Sequence, residues 1–135
     1  MSNPRRVRGF VLIEMMVVAG LIGVLLSVLL PSYQQYVLQS YRREATQELM
    51  KLANLQQLLF AEQSRYSDDL TELGFVGRHY LLASGRFRIS ARLTANGYQL
   101  TAEAQDVQRK DSDCLELILD HVGQQRSLPA ADCWH

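Results

Sequence analysis

The feature that most limits what this chain can fold into is an apolar run of 21 residues, Phe10 to Leu30, reading FVLIEMMVVAGLIGVLLSVLL and broken by one charge, Glu14. As a helix rising ~1.5 Å per residue, it covers ~30 Å, the thickness of a bilayer's hydrocarbon core. Arg5, Arg6 and Arg8 precede it, so the N-terminus is expected on the cytoplasmic side and the remainder across the membrane. A secretory signal has an apolar region of roughly 7 to 15 residues followed by a small-x-small cleavage site. Here the run is longer and leads into Pro31-Ser32-Tyr33-Gln34-Gln35 and a second helical pattern. The apolar segment is therefore expected to stay in the mature protein.

A carboxylate inside such a segment needs a reason. Placing a charge at the bilayer centre costs ~2.5 to 3.5 kcal/mol on insertion scales and less near a helix end, so membrane carboxylates usually have a partner. Gly20 and Gly23 allow close helix packing or are simply tolerated; their spacing is not GxxxG.

Composition narrows the rest. The chain has 135 residues with 14 basic and 14 acidic side chains, and loss of the first nine residues would leave 11 against 14, net −3. A mildly acidic product is no general polyanion binder, so any nucleic-acid contact must come from a local patch. Two cysteines, Cys114 and Cys133, can make neither a CxxC motif nor a four-ligand zinc site. They read as one disulfide outside the cytoplasm or as two small buried hydrophobes; a disulfide would add ~3 kcal/mol in the chain-entropy model.

The residues Gly9-Phe10-Val11-Leu12-Ile13-Glu14, after a short basic leader and before an apolar helix, closely resemble the prepilin signature of the type IV pilin family. Pro31 falls where that family usually has a helix-kinking proline. The resemblance implies that a prepilin peptidase cuts between Gly9 and Phe10 and methylates the new Phe10 amine, and that Glu14 pairs with the Phe10 amine of a neighbouring subunit during assembly. A plain single-pass anchor with Glu14 beside the headgroups would leave the Gly9-Phe10 junction unexplained. The segment RYSDDLTELGF, Arg65 to Phe75, is similar to one that follows the first helix in PilE-like minor pilins. The C-terminal D-x-x-C-L-E-L-x-L-D-x-x-G followed by D-C-W resembles the end of the same group, where a disulfide closes the last loop; here that implies Cys114 with Cys133.

The expected fold is α+β, a type IV pilin fold: a long N-terminal helix, half transmembrane and half amphipathic, packed on a small antiparallel sheet of about four strands. Its parts are a leader at 1–9, a transmembrane and assembly helix at 10–31, an amphipathic helix at 32–64 and a globular head at 65–135. Between Tyr33 and Ser64 there is no Gly or Pro, and Leu49, Leu52, Ala53, Gln56, Leu59 and Phe60 recur at spacings of three and four. One continuous helix bent near Pro31 is expected. Ser67 or Asp68 should cap a short turn that Gly74 ends.

Asn96-Gly97 is a strong two-residue hairpin signal. It sets Ala95 opposite Tyr98, Leu93 opposite Leu100, Ala91 opposite Ala102 and Ile89 opposite Ala104, with Arg88, Arg92, Thr94, Gln99, Thr101 and Glu103 on the polar face. Glu103 then lies across from Ser90. A third strand is expected over Cys114 to His121 and a fourth near Arg126 to Leu128.

Arg86, Arg88 and Arg92 form a row that could hold DNA phosphates, or else a solvated face balanced by Glu103 and Glu116. Asp106, Asp111, Asp113 and Asp120 lack EF-hand spacing and read as a solvated turn rather than a calcium loop. His79, His121 and His135 show no metal spacing, and no nucleophile, phosphate-loop or paired-carboxylate pattern marks an enzyme. No cofactor and no metal is expected.

The resemblance thus implies a structural minor subunit of a type IV pilus, serving pilus biogenesis, adhesion and twitching motility. Its partners would be major and minor pilin subunits, the prepilin peptidase, the inner-membrane assembly platform and, before assembly, the membrane itself, with the head in the periplasm of a bacterium and later outside the cell. The alternatives are a type II secretion pseudopilin and a DNA-binding competence pilin.

Overall fold

The structure, a computed structural model, describes the backbone of residues 8–135 and the side chains from residue 11 onward. Its elements are helix α1 (Arg8–Gln63), a 3-10 turn (Leu70–Leu73), strands β1 (Tyr80–Leu81), β2 (Phe87–Thr94) and β3 (Gly97–Ala104), a second 3-10 turn (Asp106–Lys110), and strands β4 (Cys114–Asp120) and β5 (Gln125–Pro129). The chain divides into two units, one reaching Tyr36 and one from Val37 to His135.

In the first unit every side chain from Val11 to Tyr36 is exposed. The segment has a mean hydropathy of 2.5 over its most apolar window, long and apolar enough to cross a membrane. Pro31 lies inside the helix; it contributes no N–H to the ladder. Ser27 satisfies its hydroxyl by donating to the Val24 carbonyl at 2.7 Å.

In the second unit, α1 buries Ala45, Leu49, Leu52, Gln56 and Leu59, the three-and-four spacing that puts side chains on one helix face. Phe60, expected on that stripe, is 43 % exposed and stacks on Tyr66 with ring centroids 4.7 Å apart. The helix ends where Ser64 turns left-handed at φ 55° and its N–H bonds the Phe60 carbonyl. The cap of the following turn is Asp69, one residue beyond the expected Ser67 or Asp68: its carboxylate accepts from Thr71 N–H. Gly74 ends the turn at φ 94°, a conformation that suits glycine.

The sheet is antiparallel with five strands in the order β1-β2-β3-β4-β5. About four strands were expected; the addition is the two-residue edge strand β1, too short to show alternation. One face of β2, β3 and β4 carries Phe87, Ile89, Tyr98, Leu100, Ala102, Ala104, Leu117 and Leu119, which form a single core with the helix stripe. Roughly 1.5–3 kcal/mol for each large side chain removed from water makes this cluster the main favourable term in the head.

The β2–β3 register differs from the expected one by two residues. Thr94 pairs with Gly97, Leu93 with Tyr98, Ala91 with Leu100, Ile89 with Ala102 and Arg88 with Glu103. The loop is Ala95-Asn96, and neither residue has a positive φ, so this is not the primed turn that Asn-Gly usually signals. Gly97 is glycine for another reason: a Cβ there would lie 2.3 Å from Cγ of His121. A two-residue slip keeps every side chain on its expected face and changes only its partners.

Candidate functional site

Glu14 sits on the exposed apolar helix with Val11, Val17 and Val18 one turn away, themselves 45–57 % exposed. Among the described residues it has no ion-pair or hydrogen-bond partner within the chain. The Phe10 side chain lies outside those described, so the expected processing junction at Gly9–Phe10 has only its helical backbone here.

The outer face of the sheet carries the polar groups. Its rows run Arg88, Glu103, Glu116 and Leu128 across β2 to β5; then Ser90, Thr101, Ile118 and Arg126; then Arg92, Gln99 and Asp120. Arg88 thus faces Glu103 directly, where Ser90 had been expected to face it. Arg109 reaches the same carboxylate at 3.7 Å and donates from Nε to the Ala104 carbonyl at 3.3 Å. Glu103, Ala104, Arg109, Leu115 and Glu116 line a shallow recess of about 370 Å³. Arg92 faces neutral Gln99, and Arg126 donates weakly to Gln99 at 3.5 Å.

The expected row of three arginines is divided. Arg88 and Arg92 are exposed on the outer face. Arg86 precedes β2, and its guanidinium stacks 4.5 Å above the Tyr41 ring of α1, a cation–π contact that holds it against the helix.

The aspartates also part company. Asp111 is not solvated: its carboxylate is 9 % exposed and accepts from Arg42 Nε at 2.7 Å and Nη2 at 3.1 Å. Gln108, fully buried beside it, donates to the Leu38 carbonyl at 3.1 Å. Asp120 accepts from Val122 and Gln124 N–H in the β4–β5 turn. Among the described residues no group of three or more His, Cys, Asp or Glu is placed to hold a metal.

The C-terminal loop is closed by a Cys114–Cys133 disulfide, Cα–Cα 5.7 Å across 19 residues of separation. It brings Trp134 back over β5, where Nε1–H donates to the Arg126 carbonyl at 2.7 Å. Sequence reasoning missed the Arg42–Asp111 tie and the Tyr80 hydroxyl, which donates to Glu48 Oε1 at 2.6 Å. Burial first, then that hydrogen bond, raises the Tyr80 phenol above its ordinary range. On the exposed 65–78 connection, the Thr71 hydroxyl lowers the Asp69 carboxyl and the Arg65 guanidinium lowers that of Glu72.

Residues 31–118 match the family described as "Type IV minor pilin ComP, DNA uptake sequence receptor". The chain is 41 % identical over 73 residues to the type IV major pilin protein PilA of Myxococcus xanthus, covering 54 % of this chain and 33 % of that protein. It is 50 % identical over 38 residues to the fimbrial protein EcpC of Eikenella corrodens, covering 28 % and 25 %. The alignments span a third or less of the length of these curated relatives. A solved type IV pilin from Shewanella oneidensis superposes with a TM-score of 0.54 at 25 % identity, covering 73 % of this chain and 98 % of that one. A family match over most of the chain, joined to a long apolar helix and an antiparallel sheet closed by a C-terminal disulfide, establishes that this chain belongs to the type IV pilin family described by ComP.

Proposed function

We propose that this chain is a minor structural subunit of a type IV pilus. The observation that carries the reading is the wholly exposed Val11–Tyr36 helix with one carboxylate, Glu14, lacking a partner among the described residues of its own chain. Such a surface is stable only in lipid or against copies of itself. In the proposed sequence, the precursor rests in the bacterial inner membrane with its head in the periplasm. Prepilin peptidase cleaves Gly9–Phe10 and methylates the amine, and the assembly platform moves the helix into a core of major and minor subunits. There Glu14 meets the Phe10 amine of a neighbour, and Pro31 lets the helix depart from strict regularity. The filament then carries the head outside the cell, in support of adhesion and twitching motility.

The test is Glu14→Ala. Cleavage should proceed nearly as in the parent while incorporation into filaments falls; normal incorporation contradicts the pairing. The C-terminal disulfide weighs against the secretion-pseudopilin alternative, because pseudopilins commonly lack that loop.

The family match favours a second reading, a DNA-receptor pilin. Arg88, Arg92 and Arg126 share the outer face and could reach phosphates, although Glu103 and Glu116 temper the field between them. Arg86 would join only by leaving Tyr41. Duplex binding by the full chain in detergent should weaken steeply with salt and be lost in Arg88→Gln/Arg92→Gln while piliation persists. Salt-insensitive retention, or no binding at the start, removes this reading.

A further inference from the structure

We propose that the outer edge of β2, at Ala91 and Leu93, is an acceptor site for an extended acidic peptide strand from another protein. In β2 the backbone groups point alternately toward β1 and toward β3. The Leu82 N–H bonds the Phe87 carbonyl, so odd residues face β1; the Gln105 N–H bonds the Arg86 carbonyl, so even residues face β3. β1 pairs only with Arg88 and Ile89. Beyond it, the N–H and C=O of Ala91 and Leu93 point off the sheet, and no backbone partner reaches them among the described residues.

The opposite edge is treated differently. On β5, Pro129 ends the strand without a donor, and Trp134 folds back over the strand with its Nε1–H on the Arg126 carbonyl.

The surroundings define the occupant. Leu93 is 47 % exposed on the core side of the edge, offering apolar contact to an added strand. On the outer side stands Arg92, whose cross-strand neighbour is neutral Gln99, whereas Arg88 already faces Glu103. A second copy using the same edge would set Arg92 against Arg92 in the alignment that employs both open residues, a repulsive pair. A strand with a carboxylate beside Arg92 and apolar residues flanking it satisfies both sides, the main-chain bonds giving affinity and the side chains selectivity.

The experiment uses the full chain in detergent micelles, a blocked seven-residue peptide alternating Val and Glu, and residue-resolved amide exchange. Alone, the Ala91 and Leu93 amides should exchange much faster than Arg92, whose N–H lies in the β2–β3 ladder. At saturation the Val/Glu peptide should slow both by about tenfold or more, and a Val/Lys peptide should not. Leu93→Pro removes one outward donor without touching the β3 ladder and should weaken binding by about tenfold. Arg92→Glu should reverse the preference between the peptides, a readout that stands even if the proline variant folds poorly. The proposal is overturned if neither amide gains protection, if the two peptides protect equally, or if only duplex DNA perturbs Arg92 and both amides continue to exchange.

Discussion

Gln56 and Ser67 form a reciprocal pair inside the head: Gln56 Nε2 donates to the Ser67 carbonyl at 2.6 Å, and Ser67 N–H donates to Gln56 Oε1 at 3.0 Å. Both residues are buried, at 0 % and 3 % exposure, so one helix side chain replaces the water that the chain would otherwise need as it leaves α1. Gln56→Leu keeps the volume and strands two backbone groups. The expected loss is ~2–4 kcal/mol of unfolding free energy, measured by denaturant titration of the full chain in detergent; a change under half a kcal/mol would contradict it.

Gly97 and His121 test packing across two strands. Gly97→Ala drives a methyl against Cβ and Cγ of His121 and should destabilise the head by ~1–3 kcal/mol. His121→Ala should relieve most of that loss, and the double-mutant cycle should show coupling of at least ~1 kcal/mol. Additive effects would mean that the close approach does not govern this position.

Arg42 and Asp111 join α1 to the segment before β4, both nearly buried, at 15 % and 9 % exposure. Asp111→Ala leaves a guanidinium without its carboxylate and should cost ~3 kcal/mol or more. Replacing both with Met and Leu should cost less than that single change. Equal losses in the single and double variants would remove the uncompensated charge as the cause.

Tyr80 gives the head an alkaline limit. Its raised phenol keeps a proton in the folded state that the unfolded chain releases near pH ~10. Stability is therefore intact below that pH and declines as pH rises above it. Tyr98, also raised by burial, adds to the same slope. Tyr80→Phe should flatten the decline between roughly pH 10 and 12 in thermal melts, and an unchanged slope would contradict the assignment.

The sequence made the periodic parts of this fold legible and left the non-local parts obscure. The helix stripe from Leu49 to Leu59 and the inward alternation of β2 and β3 follow from spacings of 3.6 and 2 residues, which local order alone dictates. The hairpin register departs from the Asn-Gly expectation because Gly97 answers to His121, 24 positions on at the end of the neighbouring strand, instead of to its own turn. Spacing alone extends the row of Arg88 and Arg92 to Arg86, yet Arg86 lies one residue before β2, where Tyr41 takes its guanidinium. Asp111 read as one more turn aspartate because its partner, Arg42, is 69 residues away. Among the site residues, the Cys114–Cys133 pairing emerged as the resemblance implied. β1 has too few residues for any pattern.

The central claim is that the exposed N-terminal helix is an assembly surface created by cleavage at Gly9–Phe10. Mass spectrometry of filaments sheared from the producing cell tests it most directly. The account predicts this chain among them, beginning at an N-methylated Phe10. Recovery of the chain only in membranes, with residues 1–9 still attached, would contradict it.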